Sequence, residues 1–494
     1  MSVVSDCVLG VTGERRSSRV LIEWLMGISL KLKALVPMDS RLNSILLFSA
    51  AALLPAALHA QTKPAQAGPA PTRPAAGKPA ASLPGTGQNS ANPDYAPQPQ
   101  GEQQPPQPPP PPLPPVVWDQ RSAIDLLSYI QQIGSEGLNP ADYDPEGLMA
   151  ALAAGDPVRL SAEATDRFNR VSSDLALGHV KRSARIDWFV ADPDLDAAKQ
   201  DALLRAAIAQ HNITGTLNGL LPTHPQYAAL KLALSTTPRT DTATIDRIKL
   251  NLDRWRWLPR DLGQKYIIVN VPGFHATLVE NGVNRWKQRA IAGKLSTPTP
   301  QLSATAVGVI LNPWWEVPKS IEKEAAGKKG FVPFKGPDGK ILRWRQPPGP
   351  TNALGQIKFV MPNSKAIYLH DTNARSRFND DTRALSHGCV RTQHILDLAT
   401  ELLGDDSGEW TPDKIQTALD SKKTVQANFV KPLPVYIVYF SSAALIDGRI
   451  VQYKDLYGRD SKAMKALSMK DGGASLTPPK PKPAPKPADQ VATR

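Results

Sequence analysis

One stretch of the chain gathers side chains that together could transfer an acyl group. It runs Tyr368-Leu369-His370-Asp371, then Ser386-His387-Gly388-Cys389-Val390-Arg391, with fifteen residues between His370 and Ser386. A thiol attacks a carbonyl only as its thiolate, so a nucleophilic Cys389 needs a base or a positive field beside it. His370 is the candidate base. Gly388 lets the backbone approach a substrate closely, and the amides around His387, Gly388 and Cys389 could point at one oxyanion.

Two other chemistries use the same residue types. His370, His387, Cys389 and His394 could be zinc ligands, but structural zinc sites usually pair their ligands at short spacings, and a lone cysteine lacks such a pair. A papain-like protease also joins Cys to His, but there the cysteine comes first, and its local signature is absent. Nucleophilic catalysis therefore ranks first, and neither a metal nor a cofactor is expected.

The elements that must aim these groups follow from the periodicity. Lys365–His370 reads as a strand ending on the histidine, and Cys389 falls on a turn shortly before a helix at about 393–403, whose positive end would lower the thiol pKa. Tyr266–Val271 is a strand. Phe274, Ala276 and Leu278 alternate up to Asn281-Gly282, a hairpin signal. Ala306–Leu311 is another strand, and Val435–Phe440 and Arg449–Tyr453 read as a second hairpin around Asp447-Gly448. Thr411 and Pro412 suit the N-cap and first position of a helix over 412–421. This is an α+β chain whose C-terminal part is mainly antiparallel β.

Upstream, 116–245 reads as helical. Ser122 with Asp125 gives a capping-box pattern, and Ile124, Leu127, Ile130 and Ile133 recur on one face. Further helices are expected at about 145–153, 161–177, 195–211 and 225–234. His179, His211 and His224 lie among them in no ligand-like cluster, so structural or surface roles are expected.

The 494-residue chain holds 48 prolines, many of them between 61 and 115, a stretch too poor in large apolar residues to fold. It reads as an extended spacer, and 471–494 as a disordered Pro/Lys tail. Residues 1–60 read as a signal or targeting segment. Arg41 flanks an apolar run from Ile45 to Ala57, which is followed by Leu58-His59-Ala60 and a cut at Gln61, with Met38 as an alternative start. An uncleaved anchor on the inner membrane is the other reading. Export would remove Cys7 and leave Cys389 as a single thiol without a disulfide partner. The net charge of +13 is scattered and accompanied by no nucleic-acid-binding signature, so no nucleic-acid partner is expected. A cationic surface suits an anionic envelope.

The run His-x15-Ser-His-Gly-Cys-Val-Arg resembles the signature of the L,D-transpeptidase (YkuD-type) catalytic domain. Arg254-Trp255-Arg256-Trp257-Leu258-Pro259, Asn312-Pro313-Trp314-Trp315-Glu316-Val317-Pro318 and Arg345-Gln346-Pro347-Pro348-Gly349-Pro350 resemble the large murein enzymes with a helical scaffold domain. The resemblance implies a scaffold domain at 116–245, and at 246–470 a catalytic domain of β-sandwich-like L,D-transpeptidase fold. It also implies a periplasmic or cell-envelope enzyme. In that enzyme Cys389 attacks a stem tetrapeptide, releases D-alanine, forms a thioester and passes the acyl group to a neighbouring amine.

The same resemblance gives His370 the acid–base role and the main-chain carbonyl of Asp371, or less readily its carboxylate, the task of holding the imidazole. It makes His387 and Gly388 oxyanion donors, and Ser386, Arg391 and Tyr368 substrate-binding residues. For Arg391 a structural ion pair is an equal reading. Peptidoglycan stem peptides are the implied partners and carbapenem-type β-lactams the implied covalent inhibitors. Water or a protein lysine as acceptor would make a carboxypeptidase or a protein-anchoring enzyme, and a non-catalytic wall-binding scaffold is the reading from another class. Two departures stand out. Thr236–Thr244 is too short for an inserted peptidoglycan-binding module, and a lid-like insertion at 316–350 is short. Trp314 and Trp315 suit either the cleft or the sheet edge, whereas Trp255 and Trp257 are expected where the scaffold meets the sheet.

Overall fold

The computed structural model describes residues 114–191, 194–407, 409–445 and 449–476. The signal segment, nearly all of the spacer, the Asp447-Gly448 turn and the tail from 477 lie outside them. No helix among the described residues is long and apolar enough to cross a membrane.

The helical part begins with α1 (Gln120–Gln132), followed by α2 (Pro145–Ala154), α3 (Pro157–Leu177), α4 (Ala197–Ala209) and α5 (Ile213–Asn218). The cap of α1 is Asp119, not Ser122. Its carboxylate accepts the Ser122 amide at 2.9 Å and hydroxyl at 2.7 Å, so the helix starts at Gln120. Ala123, Leu126 and Ile130 then form the buried face, while Ile124, expected inside, is 53% exposed. These residues join Phe168, Val171, Leu204 and Ile213 in one core.

Two more helices, α6 (Pro225–Thr236) and α7 (Thr242–Trp255), lead to the sheet. The domain border expected at 245/246 falls inside α7. Asp253 near its end accepts the amides of His179 and Val180 and the Trp257 indole N–H, tying the helices to the Arg-Trp-Arg-Trp segment. Gly178 lies so close that a Cβ there would meet Trp257 at 2.5 Å. Trp255 and Trp257 share a buried cluster with Tyr266 and Tyr436 of the sheet.

The sheet contains β1 (Trp188–Phe189), β2 (Lys265–Asn270), β3 (His275–Glu280), β4 (Val283–Gly293) and β5 (Gln301–Leu311). A separate sheet forms from β6 (Trp315–Glu316), β7 (Val332–Lys335) and β8 (Ile341–Gln346), with the short helix α8 (Glu322–Ala325) between. The main sheet resumes with β9 (Ile357–Val360), β10 (Leu369–His370), β11 (Ala384–Ser386), β12 (Val390–Thr392) and, after α9 (Ile395–Ser407) and α10 (Pro412–Asp420), β13 (Val425–Val438). The pairing β5-β13-β2-β3-β4-β12-β10-β9 returns to β5, so the sheet closes round an apolar core that includes Val269, Leu278, Val309, Phe359 and Val435. Most pairs are antiparallel, and β3–β4 turns through Asn281 (φ 50°) and Gly282 (φ 76°) as the hairpin signal requires.

Three readings are corrected. Only Leu369–His370 of the expected 365–370 strand is extended, because the preceding backbone wraps around Asn363. Its side chain accepts the amides of Lys365 and Ile367 and donates to the carbonyls of Met361 and Ile367. Ile450–Gln452 (β15) pairs with Ser442–Ala444 (β14), not with Val435–Phe440, whose edges are taken by β2 and β5. Residues 471–476, expected in the tail, are packed turns after the last helix, α11 (Arg459–Leu467). Gly472 O accepts the Lys181 amide at 2.8 Å, and Leu476 joins the cluster around Trp257. Nearby, His179 is held by Asp174 at 2.6 Å and Met469 O at 2.8 Å, a structural role.

Candidate active site

Strands β10 and β12 run parallel, with Leu369 opposite Val390 and His370 opposite Arg391. Val390 N donates to Tyr368 O at 3.0 Å. Alternation along a strand then fixes the faces. Leu369 and Val390 enter the core, while Tyr368, His370, Cys389 and Arg391 share the opposite face. Lys358 on β9 pairs with His370 and joins them.

The His370 imidazole is only 5% exposed. Burial, and then the Arg391 charge, push its pKa down to about 3, against an opposing pull from the main-chain carbonyl of Asp371. It is therefore neutral at ordinary pH and able to take a proton. Its Nδ1 has no hydrogen-bond partner among the described residues, and the Tyr368 ring stands edge-on at 5.5 Å.

Cys389 is half-buried, with Sγ 3.7 Å from Ala366 O. Burial pushes the thiol pKa up. The main chain and hydroxyl of Tyr368 and the charges of Lys358 and Arg391 pull the other way. The expected help from a helix dipole is replaced by these groups, because β12 separates Cys389 from α9, and a dipole acts mainly within the first turn.

The turn before the thiol is braced from within. Ser386 Oγ donates to Cys389 O at 2.5 Å and accepts the Gly388 amide at 3.1 Å. Ser386, expected to meet substrate, thus shapes the turn, and the Gly388 amide, expected at the oxyanion, is occupied. That leaves the amides of His387 and Cys389 as the candidates for the role expected of the turn. Gly388 has φ +119°, which a side chain would strain, and its carbonyl accepts Thr299 Oγ1 at 2.8 Å. The Asp371 carboxylate turns away from the imidazole, accepting the Gln356 amide at 3.0 Å and pairing with Arg375 at 2.7 Å. Arg391 makes no ion pair among the described residues, and its Nε has no partner. His370, His387, Cys389 and His394 do not converge, and no ligand-like group of three exists among the described residues.

The small sheet reaches this face from the side. Trp315, Val317, Ile321, Ala325, Phe331 and Trp344 form its own apolar cluster. Trp315 acts on the Tyr368 hydroxyl, and Glu324 of α8 lies 3.1 Å from His387 Nε2, which Lys294 Nζ also approaches at 3.1 Å. Trp314 instead stacks under Arg345, its ring centroid 4.4 Å from the guanidinium. Sequence reasoning missed Lys358, Glu324 and Thr299. The alternation Ile357-Lys358-Phe359 does place Lys358 off the core face.

Two regions of the chain match known protein families. Residues 264–427 match the L,D-transpeptidase catalytic domain (YkuD), and residues 115–234 match the Scaffold domain. A Haemophilus influenzae protein named provisionally as an L,D-transpeptidase is 33% identical over 240 residues, covering 43% of this chain and 48% of its own. The chain thus spans about half the length of that curated relative. Among solved structures, an L,D-transpeptidase from Mycobacterium smegmatis aligns at 15% identity and TM-score 0.19, over 35% of this chain and 58% of its own. The catalytic domain of an Enterococcus faecium L,D-transpeptidase acylated by ertapenem aligns at 15% identity and TM-score 0.17, over 35% of this chain and 97% of its own. The chain carries an L,D-transpeptidase catalytic domain of the YkuD family, preceded by a scaffold domain.

Proposed function

We propose that this chain is an exported enzyme of the cell envelope that cross-links peptidoglycan stem peptides through a thioester on Cys389. His370 takes the thiol proton, and the sulfur attacks the carbonyl at the L-centre of the diamino acid in a stem tetrapeptide. The amides of His387 and Cys389 hold the oxyanion. As the C–N bond breaks, His370 returns its proton to the departing D-alanine amine. An amine of a neighbouring stem then attacks the thioester and gives its proton through His370, which restores the thiol and completes the cross-link. Carbapenems would acylate the same sulfur by ring opening.

The observation that carries this reading is the parallel register that brings Cys389 and a neutral, buried His370 onto one face of adjacent strands. A zinc enzyme would need converging ligands, and a wall-binding scaffold would not need a buried imidazole and a thiol on one face. The test is intact mass spectrometry of the protein and its products after incubation with a disaccharide-tetrapeptide, alone and with an acceptor stem, for wild type and Cys389→Ala. Loss of D-alanine with a cross-linked dimer, in wild type only, is the expected result. D-Alanine loss without dimer would move the reading to a carboxypeptidase or a protein-anchoring enzyme. No turnover and no carbapenem adduct from folded protein would move it to a binding scaffold.

A further inference from the structure

Two cations act on Cys389: Arg391, two residues on along the same segment, and Lys358 on β9, across β10. Lys358 Nζ lies 4.3 Å from the centroid of the Tyr368 ring, and Tyr368 is the β10-side neighbour of Cys389. Neither cation forms an ion pair among the described residues. The carboxylate nearest to Lys358 in its effect, Glu316, is already shared by Arg343 at 3.6 Å and Arg345 at 4.0 Å. A further cation, Arg377, also acts on Arg391.

Lys358 and Arg391 are both partly buried, and a charge drawn partly out of water without a partner carries a cost that an anion would relieve. Burial does lower the pKa of both groups, as that cost requires. A cleft walled by one sign of charge concentrates groups of the opposite sign. The donor inferred above brings such groups. The residue leaving from the scissile bond ends in a carboxylate, and the diamino acid carries another on its side chain.

We propose that Lys358 and Arg391 form a two-cation seat for a carboxylate of the donor beside the scissile carbonyl, with Lys358 selecting anionic over neutral groups at Cys389. The assignment of a carboxylate rests on the transpeptidase reading, whereas the anion preference rests on the strand order, the place of Lys358 over the Tyr368 ring and the absence of an ion pair at either cation among the described residues.

The test separates the two. In the full-length chain, Cys389 is alkylated with iodoacetate or iodoacetamide at one pH and low ionic strength, and its peptide is quantified by mass spectrometry. In both reactions the thiolate displaces iodide to form an S–CH2 bond, so their rate ratio cancels the thiolate fraction and reports the field at the sulfur. Relative to free cysteine, wild type should favour iodoacetate by roughly tenfold or more. Lys358→Met should remove most of that preference, Lys358→Arg should keep it, and 0.5 M salt should reduce it.

A wild-type ratio equal to that of free cysteine, or a Lys358→Met ratio equal to wild type, overturns the seat. A full anion preference in a chain that never turns over stem peptide would sink the transpeptidase reading and leave the seat standing. If the chain is active, tetrapeptides amidated at the terminal or at the side-chain carboxylate locate the ligand. The amide that raises KM in wild type but not in Lys358→Met marks the seated group, and equal KM values for all three donors overturn the carboxylate assignment.

Discussion

Cys389 and His370 lie on one face of the sheet and both rest uncharged, because burial acts on each in the direction that opposes charge. The sign for the thiol follows from its competitors. Tyr368, Lys358 and Arg391 favour the thiolate, yet desolvation outweighs them and leaves the pKa raised. Alkylation of Cys389 by neutral iodoacetamide should therefore climb with pH and reach half its maximum above the usual thiol value of about 8.5. A midpoint below 7 would show that the cations win. His370 stays deprotonated down to about pH 3, so turnover should lose no base between pH 7 and 5. Spacing and residue type made this pair legible, since a histidine ending a strand and a cysteine after a glycine turn need only those two elements to meet. Lys358 was not legible. Its alternation with Ile357 and Phe359 marks a face, but which groups share that face depends on β9 lying beside β10, a pairing that no local pattern encodes.

At the scale of elements, the small sheet and α8 touch the thiol's neighbours at few points, and one of them is the contact between Glu324 and His387, an ion pair when the imidazole is protonated. Both partners are partly exposed, so the contact is a weak latch, of the size of ordinary surface pairs. Glu324→Gln should loosen α8 from the turn at Cys389 and raise the rate of Cys389 alkylation roughly two- to fivefold. The melting temperature should barely change, because the apolar cluster of the small sheet is untouched. An unchanged alkylation rate would mean that Trp315 and its cluster hold the element without the ion pair. Element boundaries were read well where turn chemistry is local, as at Asn281-Gly282 and Thr411-Pro412. They were misread where one side chain could serve in two ways. Asp119 rather than Ser122 caps α1, which turns Ile124 outward, and Asn363 replaces several residues of the expected strand with a turn.

At the scale of the molecule, the helical part and the sheet are joined through α11. Arg459 is 2% exposed, packs against both the Tyr439 and Tyr457 rings, and bonds both Asp187, just before β1, and the carbonyl of Thr299. Thr299 Oγ1 in turn holds the Gly388 carbonyl beside the thiol. Strand β1, only two residues long, adds to the edge of β5 just past Asp187. Nothing in Trp188-Phe189 reads as a strand, since its pairing exists only once Trp257 and the sheet have brought the two parts together. The chain of contacts sets an unequal pair of costs. Removing Arg459 leaves Asp187, whose side chain is 43% exposed and can be hydrated, whereas removing Asp187 strands a buried guanidinium. Asp187→Ala should thus cost about 3 kcal/mol in urea unfolding, and Arg459→Met less. The double variant should cost clearly less than the sum, because the stranded charge is gone. Strict additivity would mean that Asp187 and Arg459 act independently. If the bridge also positions the turn, Asp187→Ala should alter the Cys389 alkylation rate in protein that is still folded, while a variant at the exposed residue Lys422 leaves it unchanged.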